Sequence, residues 1–204
     1  MKGLSRELLI ETGLRLLDDV GLDGLTVRRL ATELGVQSPA LYWHIRTKQE
    51  LLDGMANEII LTAGMGPPLD GESWPDWLRR RGRAYRRSLL AHRDGARVVA
   101  SARRASPSVH LFEEELAAMV ERGFTPLLAL RTITALANYI NGFVLQEQAD
   151  VLPADPADVS LLARLPTLAA AIEQGGFPLA EESFEHGLTV LITGTEALMY
   201  PQGV

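Results

Sequence analysis

Apolar residues recur at steps of three and four along nearly the whole chain, and no segment sustains the apolar/polar alternation of a half-buried strand. The pattern predicts an all-α protein. A first helix opens at a Ser5 cap, lines up Leu9, Ile10, Leu14, Leu17 and Val20, and ends at Gly21. Thr26 caps a second, with Val27, Leu30, Ala31 and Leu34 on one face, after which Gly35 supplies a left-handed turn. Ser38 caps a short third helix with Pro39 at its first position, where a missing N–H costs nothing. Thr47-Lys48-Gln49-Glu50 has capping-box spacing and opens a fourth, carrying Leu51, Leu52, Met55, Ile59 and Ile60.

A Gly/Pro-rich run from Gly64 then breaks regular structure. Beyond it the pattern predicts helices over 74–91 after a Ser73 cap, from Asp94 to about Ser101, and over 109–122 between Pro107 and Gly123. Pro126 opens the longest apolar helix, with Leu130, Ile133, Ala137, Ile140 and Val144 in register. Residues 150–158 and 175–178 read as loops around a weaker helix. A last helix, 181–199, repeats Phe184, Leu188, Leu191, Thr195 and Leu198, with Gly187 and Gly194 allowing close backbone approach. The division expected is a small N-terminal unit over 1–47 and a larger unit over 48–204, whose first helix, 48–63, connects the two.

Chemistry concentrates in residues 26–48. Leu41 and Ile45, four apart, turn inward and leave Tyr42, Trp43 and His44 facing outward. Two short helices meeting at a glycine have the form of a helix-turn-helix, whose second helix enters the major groove while the first crosses the backbone. In that reading Gln37, Ser38, Pro39, Ala40 and Tyr42 meet base edges or a thymine methyl, and Thr26, Arg28, Trp43, His44 and Lys48 meet phosphates. The other reading is a helical hairpin whose Tyr-Trp-His packs on its own domain.

The net charge of −6 argues against nucleic acid only if it is spread evenly. It is not: the first fifty residues hold seven basic and seven acidic side chains, so the acidic excess lies downstream. A hydrophobic content of 47% supports a real core, and the absence of cysteine excludes a disulfide framework and thiolate chemistry. The apolar run 132–144 is shorter than the ~20 residues of a membrane span and carries two Asn, so no membrane is expected and the location expected is cytoplasmic. The four His show no metal-ligand spacing, and no Ser/His/Asp set or phosphate loop is visible. Neither an enzyme, a metal nor a cofactor is expected.

The stretch GLDGLTVRRLATELGVQSPALYWHIRTKQELLD, followed in order by GESW at Gly71, RDGA at Arg93, ERGF at Glu121 and FEHGL at Phe184, resembles the TetR family of transcriptional repressors over nearly the whole chain. The resemblance implies a homodimer on palindromic operator DNA, with a C-terminal core for dimerisation and a small-molecule inducer. It also implies that the helices opening at Pro126 and Glu181 form an intersubunit four-helix bundle.

The family's tetracycline-responsive members hold a magnesium-bound drug with a His on the sixth helix and a Glu from the partner's eighth. Here the resemblance sets Val99 at that His and Gln146 at that Glu, with Glu147 one residue away. It sets Gly64 near a drug-contacting His, Arg81 at an Asn, Tyr85 at a Phe, Ala102 at a Thr and Glu115 at a Gln. Val cannot replace an imidazole, so the expected inducer is something other than magnesium-tetracycline. Arg81 and Tyr85, one turn apart, with Arg103, Phe112, Glu115, Leu130 and Ile133, suggest a ring system bearing an anionic or carbonyl group. Alternatively Arg81 belongs to the basic run 79–83 and points to water. Two rival functions stand beside the inducible repressor: a ligand-independent or activating regulator, and a small-molecule-binding protein or enzyme with an incidental helix-turn-helix.

Overall fold

A computed structural model describes residues 4–103, 108–149, 164–174 and 179–199. Ten helices and no strand occur among them. Pro107 and the loops expected at 150–158 and 175–178 lie outside the described residues.

Helix α1 (Arg6–Gly24) is capped by Ser5, whose Oγ accepts the Leu8 amide at 3.2 Å, and buries Leu9, Ile10, Leu14 and Leu17. It does not end at Gly21. That residue takes φ 70°, ψ 173°, and helical hydrogen bonding resumes across the kink. The Leu22 amide donates to Asp94 Oδ2 at 2.8 Å, 72 residues away. Helix α2 (Val27–Glu33) is capped by Thr26 and stopped at Gly35, φ 66°. In α3 (Ser38–Leu41) the cap is Gln37, not Ser38. The Ala40 amide, which a Ser38 cap would engage, closes on the Gln37 carbonyl at 2.9 Å instead. Helix α4 (Lys48–Thr62) begins at Thr47, which accepts the Glu50 amide at 3.1 Å; Glu50 reaches back to the Arg46 amide, one residue earlier than a reciprocal box requires.

Helices α1 to α3 bury Leu9, Leu17, Leu30, Leu41 and Ile45 against Leu51 and Met55 of α4. The far side of α4 packs on α6 (Gly95–Ser101), α5 (Trp74–Leu90) and α7 (Ser108–Glu121), so one helix belongs to both bodies. The larger body continues the same core through Trp77, Leu89, Ile133, Ile140, Phe184 and Leu188. Here α8 (Pro126–Glu147) packs on α5 and on α10 (Glu181–Met199). Helix α8 is long and apolar enough to cross a membrane by length and composition, yet Ala129, Ile133, Leu136, Ile140 and Val144 form a buried stripe along it.

Helices α8 and α10 approach closely at Gly187: a Cβ there would lie 2.1 Å from the Tyr139 hydroxyl, which donates to the Phe184 carbonyl at 2.9 Å. Gly194 meets nothing within 4 Å. The buried stripe of α10 is Phe184, Leu188, Ile192 and Thr195, so Leu191 is only half-buried and Leu198 is exposed, contrary to the sequence expectation. The weaker helix, α9 (Pro166–Glu173), buries no side chain.

Candidate functional site

Two regions carry the chemistry. On the first, Leu41 and Ile45 are sealed in the core at 0% and 1% exposure, which turns the short α3 so that Trp43 stands 90% exposed and Tyr42 50% exposed. Thr26, Arg28, Gln37, Pro39 and Lys48 are exposed around them, while Ser38, Ala40 and His44 are half-buried. Neither Arg28 nor Lys48 makes an ion pair among the described residues. Two large aromatics left in water beside unpaired cations form a surface shaped for an aromatic or anionic partner.

The second region is a cavity of about 470 Å³ enclosed by α4 to α8. Of the residues singled out from sequence, Arg81, Tyr85, Val99, Ala102, Arg103, Phe112 and Ile133 line it. Four others do not. Gly64 is an exposed turn residue at φ 67°, and its neighbours Ala63 and Met65 face the cavity instead. Leu130 is 43% exposed, since Ala129 and Ile133, four apart, define the inward stripe of α8 and put Leu130 beside it. Gln146 is exposed on the outer side of α8, and the neighbouring Glu147 is held by Arg86 at 2.5 and 3.0 Å. Glu115, fully buried, turns away onto Arg81.

That last contact decides where Arg81 points. Its Nε and a terminal nitrogen each donate to Glu115 at 2.7 Å, and Glu115 Oε1 also accepts the Gly66 amide at 3.2 Å. The guanidinium is therefore buried and neutralised, not solvated with the rest of the run 79–83. Burial pushes the neighbouring Tyr85 phenol up to about 12 against the opposing pull of Arg81, which keeps it a neutral donor. Asp53, Asn57, Thr134, Asn138 and Asn141 also line this wall, none of them expected there from sequence. A signal for two of them was present: Asn138 and Asn141 are the Asn pair that interrupts the apolar run of α8. Asn141 Oδ1 is buried with no hydrogen-bond partner.

The two regions are tied together through α6. Gln49 of α4 donates to the Ser101 carbonyl at 3.0 Å, and Asp53 accepts the Arg103 amide at 2.9 Å, at the cavity wall. At its other end α6 is tied to α1: Asp94 takes the Leu22 amide, and Arg97 bridges Asp94 and Asp23 at 3.0 Å each. Burial raises the Asp94 carboxyl, but the Leu22 amide and Arg97 outweigh it and hold the group below its ordinary value.

Residues 9–55 match the family model "Bacterial regulatory proteins, tetR family", and 67–199 match "Tetracyclin repressor-like, C-terminal domain". The chain belongs to the TetR family. This TetR-family chain is 38% identical to tetracycline repressor protein class C of Escherichia coli, over 97% of its own length and 93% of the relative's. It superposes on a TetR variant of Acinetobacter baumannii AYE in complex with minocycline with TM-score 0.80 and 33% identity, covering 98% and 97% of the two chains. TetR of class A in complex with 5a,6-anhydrotetracycline and magnesium gives TM-score 0.72 and 32% identity, covering 95% and 98%. The all-α fold, a helix-turn-helix domain followed by the C-terminal ligand-binding domain, is that of a TetR-family transcriptional repressor.

Proposed function

We propose that this protein is a cytoplasmic repressor that binds a palindromic operator as a homodimer and is released by a small-molecule inducer other than magnesium-tetracycline. The observation that carries the reading is the hydrogen-bonded path from Arg103 at the cavity wall and the nearby Ser101 carbonyl, through Asp53 and Gln49, to the start of α4 beside the exposed Tyr42-Trp43 surface. Residues 1–47 act as the reading head. Gln37, Ser38, Pro39, Ala40 and Tyr42 meet base edges, and Thr26, Arg28, Trp43, His44 and Lys48 meet phosphates.

Dimerisation is supported by the outer faces of α8 and α10. Leu127, Leu130, Val190 and Leu198 are exposed there at 43–70%, and Gly194 has open space around it. Large apolar side chains in that arrangement fit a four-helix bundle with a second copy. A magnesium chelate does not fit the wall: Val99 offers no donor atom, Glu147 is engaged by Arg86, and Asp53 Oδ1 already accepts from Gln49 and Arg103. An inducer acts only through its differential affinity for two subunit arrangements, and α6 is the element both regions grip.

The test is selection from random duplexes followed by gel shift. The wild type is expected to select a palindrome, and Tyr42→Ala or Lys48→Ala to weaken its binding about tenfold or more with the dimer intact. Unselective binding, or unchanged affinity in both variants, refutes the reading.

A further inference from the structure

Taking residues 1–47 as the reading head and α8 as a helix of the dimer bundle, on which this rests, we propose that Gln148 is a positioning residue for DNA binding. From the end of α8 it caps α6, and so frees Asp94 to hold α1 of the head. Helices α5 and α6 meet at a corner so tight that a Cβ on Gly95 would lie 2.2 Å from the Leu89 carbonyl oxygen. Such helix ends leave amides and carbonyls without helical partners. Asp94 stands at the cap position of α6, where a carboxylate accepts the amide two or three residues on. It does not do so here. Its Oδ2 accepts the Leu22 amide of α1 at 2.8 Å and its Oδ1 accepts Arg97 at 3.0 Å. Gln148 Oε1 accepts the Ala96 amide instead, at 3.1 Å, and Nε2 donates to the Leu89 and His92 carbonyls at 3.1 and 2.7 Å. One side chain, 52 residues from Ala96, thus serves both helix ends.

The same corner anchors α1. The Arg93 amide donates to Asp18 Oδ1 at 2.9 Å, His92 Nδ1 lies 3.1 Å from Asp18 Oδ2, and Arg97 bonds Asp23 at 3.0 Å. Gln148 itself is held in place, because the adjacent Glu147 is gripped by Arg86 of α5, whose guanidinium sits 4.6 Å from the centre of the Phe184 ring of α10. Both bundle helices therefore converge on the group that fixes the corner. Competition for one carboxylate links this to the head. Ala96 is fully buried, so its amide, once it loses Gln148, must find another acceptor, and Asp94 is the residue at the cap position. A carboxylate drawn back to cap α6 gives up the Leu22 amide. A shift of α8 against the corner thus reaches α1 as loss of the Asp94–Leu22 bond, and two heads loosened in this way no longer keep one spacing on DNA.

Native-state hydrogen exchange, read by NMR on the full-length protein, follows the joint amide by amide and needs no DNA. Gln148→Met keeps the length of the side chain but loses its acceptor and its donors. In it the protection of the Leu22 amide should fall about tenfold, although Gln148 never touches that amide. Gln148→Glu keeps the acceptor for Ala96 and should hold Leu22 within about twofold of the wild type. Gln148→Lys keeps a donor alone at this half-buried position, should behave as Gln148→Met does, and takes its place if the methionine variant does not fold. Gel shift supplies the readout that a loss of stability would not move. On the selected palindrome the acceptor-free variant should bind about tenfold more weakly, and its preference for that operator over one with a base pair inserted at the centre should fall to near unity. Gln148→Glu should match the wild type in both. Leu22 protection unchanged without the acceptor, equal losses with and without it, or a spacing preference that survives its removal overturns the proposal. A wild type that selects no palindrome refutes the repressor reading, and the role of Gln148 in DNA binding falls with it. A palindrome selected while Leu22 stays protected in the acceptor-free variant overturns the role of Gln148 alone.

Discussion

Arg81 and Glu115 sit 34 positions apart and meet with side chains 10% and 0% exposed. From sequence, one belonged to a basic run and the other to an acidic run, Glu113 to Glu115, and both runs have the composition of solvated helix faces. Burial makes the pair asymmetric in mutation: removing one partner strands the other, while replacing both with apolar side chains of similar volume does not. Arg81→Leu is expected to destabilise by about 3–5 kcal/mol. The double variant Arg81→Leu, Glu115→Leu should recover most of that loss. Denaturant unfolding of the three variants against wild type measures the coupling, and additive single effects would show that the pair is not one unit. The Gly66 amide and the Trp77 indole, which donates to the Gly66 carbonyl at 3.1 Å, tie the turn after α4 to this pair. Loss of Glu115 should therefore loosen one wall of the cavity as well.

At the scale of elements, α6 is seven residues long and gains its position from its ends, because both ends bond to the DNA-binding side of the molecule. Asp94 was expected only to start the helix. In the structure it adopts φ 57° and makes no cap bond; its carboxylate serves the kink at Gly21 of α1. Asp94→Asn should therefore lower stability and weaken the response of DNA binding to a ligand, without touching the cavity. The pH dependence has a definite sign. A carboxyl held below its ordinary value contributes fully above its unfolded pKa of about 3.9, and the contribution fades as pH falls through the lower folded value. The difference in melting temperature between wild type and Asp94→Asn should be largest near neutrality and shrink below about pH 4. A gap that stays constant into acid would mean that the carboxylate charge contributes nothing at this joint.

For the whole molecule, the single chain leaves an apolar face on α8 and α10 that another copy is proposed to cover. Val190 is 55% exposed on α10, and its replacement leaves the buried stripe at Leu188 and Ile192 untouched. Val190→Glu should give a folded, helical monomer that has lost operator affinity, read by sedimentation and gel shift. A dimer that survives this change places the interface elsewhere. Periodicity and capping chemistry alone determined the helical class, most helix starts, and the exposed Tyr42-Trp43 surface. These depend on residues within one or two turns of each other, which linear spacing records. The failures share one cause. The Gln37 cap, the continuation of α1 past Gly21, the exposure of Leu130 and Leu198, and the pairing of Arg81 with Glu115 were all settled by what a distant segment or a competing amide brings to the same place. The same limit separates the two functional regions: Thr26 to Lys48 is read from local pattern, whereas the cavity wall exists only where α4 to α8 meet.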